Sequence, residues 1–287
     1  MVENYKLGLI GYPIKHSYSP LLYNTAFREL NIQGSYEILE TKPEDLVPRI
    51  KYLRANKYYG FNVTIPHKVP VGLFLTRYDD NVNLTGSVNT VKIEDDSTLT
   101  GYNTDVFGFM KAIPDDVDLN GKKAVIIGTG GAARAVCTGL YKKGIKNMDI
   151  YTRNVINSSD VINGLRNKFP SVSIRGIQNS LMNGLEDVDI LVNTTPVGMK
   201  NFDEDNSPVD DKNIESLPAH AIVYDIVYNP LETALISKAV KCNKRYILGI
   251  DMLIWQAVKA FEIWTGKTPD FNLLKSKVFE QMLINKT

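Results

Sequence analysis

The sequence predicts an α/β protein in two domains, the second built on a parallel sheet with helices on both faces. Three observations predict it. The chain has 287 residues, room for about two domains. Short apolar strands alternate with helical patterns along most of it, as a covered parallel sheet requires. One such strand, ending in Ala124-Val125-Ile126-Ile127, runs directly into Gly128-Thr129-Gly130-Gly131-Ala132-Ala133, after which Ala135, Val136, Leu140 and Tyr141 recur at helical spacing.

In chain order, Leu7-Gly8-Leu9-Ile10 reads as a strand broken by Gly11-Tyr12-Pro13. Ser19-Pro20 opens a helix, with Ser19 as N-cap and Pro20 at the first helical position. Residues 36–39 form a second strand, a helix restarts at Pro48, and 60–64 form a third strand. Residues 88–93 and 98–102 read as a hairpin around Asp95-Asp96, and 106–112 as a helix. Strands are expected at 123–127, 147–152, 188–193, 221–226 and 245–248, with helices at 132–143, 155–168 and 232–242. Two further helices, 251–264 and 272–284, close the chain. These readings divide it into a first domain at 1–104 and a second at 105–250, with residues 251–287 returning to the first.

Composition narrows the partners. Hydrophobic residues make up 44% and charged residues 23%, as in soluble globular proteins. A net charge of +1 supplies no field to draw nucleic acid or an anionic membrane. No apolar run approaches the roughly 18 residues of a membrane span. The two cysteines, Cys137 and Cys242, have no C-x-x-C partner, so a metal site is not expected. With no signal-peptide pattern at the N-terminus, the expectation is a cytoplasmic protein, monomer or homodimer, acting on a small molecule.

The glycine turn spells G-x-G-x-x-A between strand and helix, the context of a Rossmann-type dinucleotide site. Gly128 permits the turn, Gly130 lets backbone approach a pyrophosphate, and Ala133 allows close helix packing. The next strand ends in Thr152-Arg153-Asn154, where a carboxylate for the ribose 2′-hydroxyl of NAD would stand about 20 residues on. Asp149 lies too early and Asp160 suits a helix better. Arg153 instead suits a 2′-phosphate, which favours NADP.

Three polar clusters precede that turn. Ser17 and Ser19 sit at a helix N-terminus, suited to a carboxylate. Asn62 and Thr64 share one face at a strand end, with Lys68 following a proline turn. Asn89-Thr90 is followed by Asn103-Thr104-Asp105. Singly, each has an ordinary reading: Ser19 and Asp105 as helix caps, Lys68 as a solvated lysine. Together they suit a small polyhydroxylated acid.

These clusters, in this order, resemble the shikimate dehydrogenase family. The resemblance covers nearly the whole chain: H-S-x-S-P at 16–20, N-V-T-x-P-x-K at 62–68, N-T at 89–90, N-T-D at 103–105 and G-T-G-G-A at 128–132. It continues through N-T-T-P-V-G-M at 193–199, D-I-V-Y-N-P at 225–230 and G-I-D-M-L at 249–253, with Gln256 a turn later. It implies an NADP-dependent oxidoreductase acting on a CH–OH group, reducing 3-dehydroshikimate reversibly in aromatic amino-acid biosynthesis, with the active site in a cleft between the domains. Ser17 and Ser19 would bind the substrate carboxylate. Thr64, Asn89 and Gln256 would hold hydroxyls, with Asn62 and Tyr228 close by, and Lys68 and Asp105 would be the catalytic pair. Gly128, Thr129, Gly130, Gly131 and Ala132 would take the pyrophosphate, and Thr152, Arg153 and Asn154 the adenosine phosphate. Thr195, Ile226, Gly249 and Met252 would face the nicotinamide end. Many members read N-R-T where this chain reads Thr152-Arg153-Asn154. The alternatives are a quinate/shikimate enzyme of broader cofactor use, a dehydrogenase for another small acid, and a non-catalytic NADP-sensing module.

Overall fold

The computed structural model describes residues 4–200 and 202–284. The chain forms two compact units, one of residues up to Gly108 together with Ile254 onward, the other Phe109–Leu253. The divisions fall at 108/109 and 253/254, each inside a helix.

In the first unit, β1 (Tyr5–Gly11), α1 (Ser19–Glu29), β2 (Gly34–Glu40), α2 (Leu46–Ala55) and β3 (Gly60–Val63) form a parallel half-sheet. The chain then adds β4 (Arg77–Tyr78), α3 (Asp80–Thr85), β5 (Thr90–Ile93) and β6 (Leu99–Tyr102). The sheet order is β2-β1-β3-β5-β6-β4, with β5 antiparallel to both β3 and β6. One core packs Ile10, Leu53, Phe61, Val91 and Leu99, all buried. Elsewhere in the unit α1 brings Tyr23 and Phe27 against Phe261 and Trp264.

α4 (Thr104–Ala112) leads to the second unit. There β7 (Lys123–Ile127), α5 (Gly131–Lys142), β8 (Asn147–Thr152), α6 (Ser159–Lys168), β9 (Ser173–Gln178), β10 (Ile190–Asn193), α7 (Asp211–Ser216), β11 (Ile222–Asp225), α8 (Ala234–Lys241) and β12 (Arg245–Leu248) follow in turn. The six strands are all parallel in the order β12-β11-β10-β7-β8-β9. Read from β9, this is the doubly wound 3-2-1-4-5-6 order, whose switch point lies between β7 and β10. α9 (Gly249–Thr265) and α10 (Phe271–Ile284) end the chain.

Several local readings need correction. Tyr18, not Ser19, takes the N-cap position of α1 without a side-chain cap bond, so Ser19 is the first helical residue and Pro20 the second; Tyr18 already has helical dihedrals, which starts the helix one residue early. β9 and α7 have no counterpart in the sequence reading. β9 is a sheet edge with only Ile174 fully buried, so its alternation is weak. Its Gly176 packs where a Cβ would lie 2.4 Å from Ile162. α7 lies in an Asp/Asn-rich stretch and is set by Asp210, which accepts from the Asn213 N–H at 2.8 Å.

Candidate active site and cofactor site

In the first unit Lys68 and Asn89 converge on one carboxylate. β3 ends at Val63, and the turn beyond it carries Lys68. His67, 1% exposed, contacts the Thr41 carbonyl through Nε2 at 2.7 Å, and the Val88 N–H donates to the Lys68 carbonyl at 2.7 Å. These contacts hold the turn so that Lys68 Nζ donates to Asp105 Oδ2 at 2.6 Å, with side chains 17% and 10% exposed. Lys68 is therefore not a solvated lysine, and Asp105, inside the first turn of α4, is engaged with side chains. Its other oxygen, Oδ1, accepts from Asn89 Nδ2 at 2.8 Å.

Asn89 is positioned by α3, which Asp79 caps and which ends at Gly86 with φ 63, a left-handed conformation natural to glycine. The Asn89 amide is fully engaged. Its nitrogen faces Thr104 Oγ1, Asp105 and Gln256 Oε1, and its oxygen accepts from the Thr104 N–H and from hydroxyls of Thr90 and Thr104. Asn62 is buried likewise, donating to the Asn89 carbonyl and Thr90 Oγ1 while accepting from Tyr36 OH at 2.7 Å. Ser17 Oγ donates to Ser19 Oγ at 3.1 Å and accepts the Ser19 N–H at 3.2 Å. Thr64, partly exposed, sits just past β3. Tyr36 is a member of this cluster that sequence reasoning missed; its strand alternation marks only an inward-facing position.

In the second unit Gly128 has φ 109, and a Cβ there would lie 2.7 Å from Thr194 Oγ1. Gly130 takes the N-cap position of α5, and a Cβ on it would meet no atom within 4 Å. That open cradle at the start of a helix fits a pyrophosphate on backbone N–H groups. Thr129, Gly131 and Ala132 complete the turn. At the end of β8, Thr152 is buried while Arg153 and Asn154 are exposed. Asn154 Oδ1 accepts the Asn157 N–H at 3.0 Å, which shapes the turn into α6. Tyr228 is also carried by this unit.

The ends of β10 and β11 are tied by Asp225, which has no solvent exposure. It accepts from Asn193 Nδ2 at 2.9 Å, the Val227 N–H at 3.0 Å and Thr233 Oγ1 at 2.6 Å. Asn193 Oδ1 in turn accepts both the N–H and hydroxyl of Thr195, at 3.0 and 2.7 Å. Burial pushes the Asp225 carboxyl up to about 6, against the lowering effect of its three donors. Gly249 passes so close to Ile226 that a Cβ would lie 2.3 Å from the Ile226 carbonyl oxygen, and Met252 is buried a turn later. Asn193 and Asp225 were legible as the first residues of two of the family's motifs, whereas Thr233, which follows Glu232, carried no signal. Among the described residues no group of three or more His, Cys, Asp or Glu could hold a metal, and no helix is long and apolar enough to cross a membrane.

Three family models match: the shikimate dehydrogenase substrate binding domain at residues 9–91, shikimate/quinate 5-dehydrogenase at 111–226, and the shikimate 5′-dehydrogenase C-terminal domain at 249–278. The chain is 38% identical over 283 residues to a protein of Methanocaldococcus jannaschii named shikimate dehydrogenase (NADP(+)), covering 96% of each. A protein of the same name from Methanococcus aeolicus is 36% identical over 275 residues, again covering 96% of each. A solved shikimate dehydrogenase in complex with NADP+ superposes with a TM-score of 0.88 at 36% identity, covering 98% of this chain and 97% of the other. The doubly wound second unit, the ordered polar clusters of the first and these whole-length matches agree: the chain belongs to the shikimate dehydrogenase family.

Proposed function

We propose that the chain catalyses the reversible NADPH-dependent reduction of 3-dehydroshikimate to shikimate, with Lys68 and Asp105 acting at the reacting oxygen. The observation that carries the assignment of residues is the 2.6 Å Lys68–Asp105 pair, whose carboxylate is fixed on its other side by Asn89. The pair also argues against a non-catalytic sensing module, which has no use for it.

When bound, NADPH supplies a hydride to the carbonyl carbon. The oxygen then needs a proton, and Lys68 is placed to give it and to stabilise the negative charge developing there. Asp105 holds the ammonium in place. Asn89, its amide engaged within the chain, works chiefly by orienting Asp105. Ser17 and Ser19 take the substrate carboxylate, while Thr64 and Gln256 face its hydroxyls, with Asn62 and Tyr228 contributing to the surroundings. In the second unit the open backbone at Gly128–Ala132 takes the pyrophosphate. Thr152, Arg153 and Asn154 take the 2′-phosphate, and Thr195, Ile226, Gly249 and Met252 the nicotinamide end. The same reading places the enzyme in the cytoplasm as a monomer or homodimer.

The test is NADP reduction with shikimate, with quinate and NAD as controls. Turnover of shikimate with NADP well above the three other combinations supports the proposal. Comparable rates with quinate and NAD would assign the broader quinate/shikimate activity instead, and tight NADP binding without turnover would revive the sensing module.

A further inference from the structure

We infer that Ser158 is a positioning residue that makes the cofactor site selective for the 2′-phosphate of NADP, an inference that rests on the NADP reading above. Ser158 precedes α6 and is only 7% exposed. It occupies the N-cap position of that helix, yet its side chain makes no cap hydrogen bond. A serine there ordinarily accepts from an N–H of the first turn and stabilises the helix by doing so. Here the hydroxyl is used elsewhere. Ser158 Oγ lies 2.9 Å from Thr152 Oγ1 and 3.2 Å from Thr129 Oγ1.

Ser158 thereby links the glycine turn after β7 to the end of β8. Each hydroxyl carries one proton to donate and lone pairs to accept, so three hydroxyls in a row form a chain with a direction. A phosphate dianion beside Thr152 accepts only. It turns the Thr152 proton outward, Ser158 then donates to Thr152, and Thr129 donates to Ser158. Each link polarises the next, and the terminal bond is charge-assisted. With NAD no anion sits at that end, the direction is not set, and the chain adds nothing to binding. The gain from Ser158 therefore appears with the 2′-phosphate and not without it. Arg153 adds charge at the same place but is exposed, whereas the Thr152 and Ser158 hydroxyls are both buried and little open to replacement by water.

The experiment compares wild type, Ser158→Ala and Ser158→Thr by the dissociation constants of NADPH and NADH in a fluorescence titration without substrate, and by steady-state KM for each cofactor with saturating 3-dehydroshikimate. Ser158→Ala should raise KM for NADPH about tenfold, the loss of roughly one cooperative charge-linked hydrogen bond, and change KM for NADH by less than about twofold. Ser158→Thr, which keeps the hydroxyl, should restore most of the NADPH affinity. Equal losses with both cofactors would mean that the residue only supports the turn, and unchanged NADPH affinity would mean that the hydroxyl chain does not reach the cofactor; either overturns the inference. A wild type showing no preference for NADPH would overturn the cofactor reading as well, whereas a wild-type preference left undiminished in Ser158→Ala overturns the inference alone.

Discussion

Replacing Lys68 by methionine removes the ammonium while keeping most of the side-chain volume, and it separates binding from chemistry. Lys68 meets Asp105 at 2.6 Å with both side chains largely shielded from water, which limits how far solvent can take over its role. General acid catalysis by a positioned group contributes about 10²- to 10⁴-fold, which corresponds to roughly 3–5 kcal/mol of barrier. Lys68→Met should therefore lower kcat by about that factor. KM for shikimate should stay within a few-fold, because Ser17 and Ser19 are untouched. The pair also predicts non-additivity. Asp105 acts on the reaction through Lys68, so Lys68→Met/Asp105→Asn should be little slower than Lys68→Met alone. Steady-state kinetics on the three variants, with circular dichroism to confirm folding, decide the matter. A Lys68→Met enzyme with kcat near wild type, or losses that multiply in the double variant, would refute the assignment of the pair.

Three further outcomes are expected. Arg153→Ala should raise KM for NADPH about tenfold and leave NADH nearly unaffected, through loss of a charge-assisted contact; equal effects on both would show that Arg153 does not read the 2′-phosphate. Asp225 titrates at about 6 when folded against 3.8 ordinarily, so the native state holds its proton more tightly than the unfolded chain does. Its contribution to stability is then fully present below pH 3.8 and is lost as pH rises through 6, by about 3 kcal/mol at roughly 1.4 kcal/mol per pH unit. Thermal melts from pH 4 to 7 should show wild type losing stability relative to Asp225→Asn across that window, and parallel profiles would contradict the burial argument. Gly249→Ala places a Cβ 2.3 Å from the Ile226 carbonyl oxygen; forcing backbone apart in this way should cost about 1–3 kcal/mol, read as a lower Tm, and an unchanged Tm would show the segment to be free to shift.

The strand, glycine turn and helix proposed for the cofactor were legible because their geometry is local. A strand, a glycine turn and a helix occupy consecutive residues, and a glycine with φ 109 is required there whatever the rest of the chain does. The Lys68–Asp105 pair was less so, since its members lie 37 residues apart and each has an ordinary reading alone; only the ordered resemblance joined them. What stayed hidden depends on distant partners. Ser158 is a plain serine in a loop until Thr129, 29 residues earlier, is brought beside it. Tyr36 is one more aromatic in a strand until its hydroxyl meets Asn62. β9 was missed for a different reason: at a sheet edge little of a strand is buried, so hydrophobic alternation fades even though the backbone pairing with β8 is complete over six residues.

The indole of Trp264 donates to the Val91 carbonyl in β5 at 3.0 Å, and Gly60 of β3 has no side chain because a Cβ there would lie 2.2 Å from that indole nitrogen. A groove kept open in the middle of an early sheet is thus filled by a side chain made some 173 residues later. During synthesis the first unit is the first to emerge and the last to be finished. Residues 109–253 have all their strands as soon as β12 leaves the ribosome, whereas the sheet of the first unit lacks the Trp264 indole until α9 arrives. That order inverts the usual N-terminal-first sequence of domain folding. It also makes the helices after Ile254 part of a core whose strands all lie before Asn103, so a truncation near Ile254 removes part of the substrate side of the enzyme while leaving the dinucleotide sheet whole.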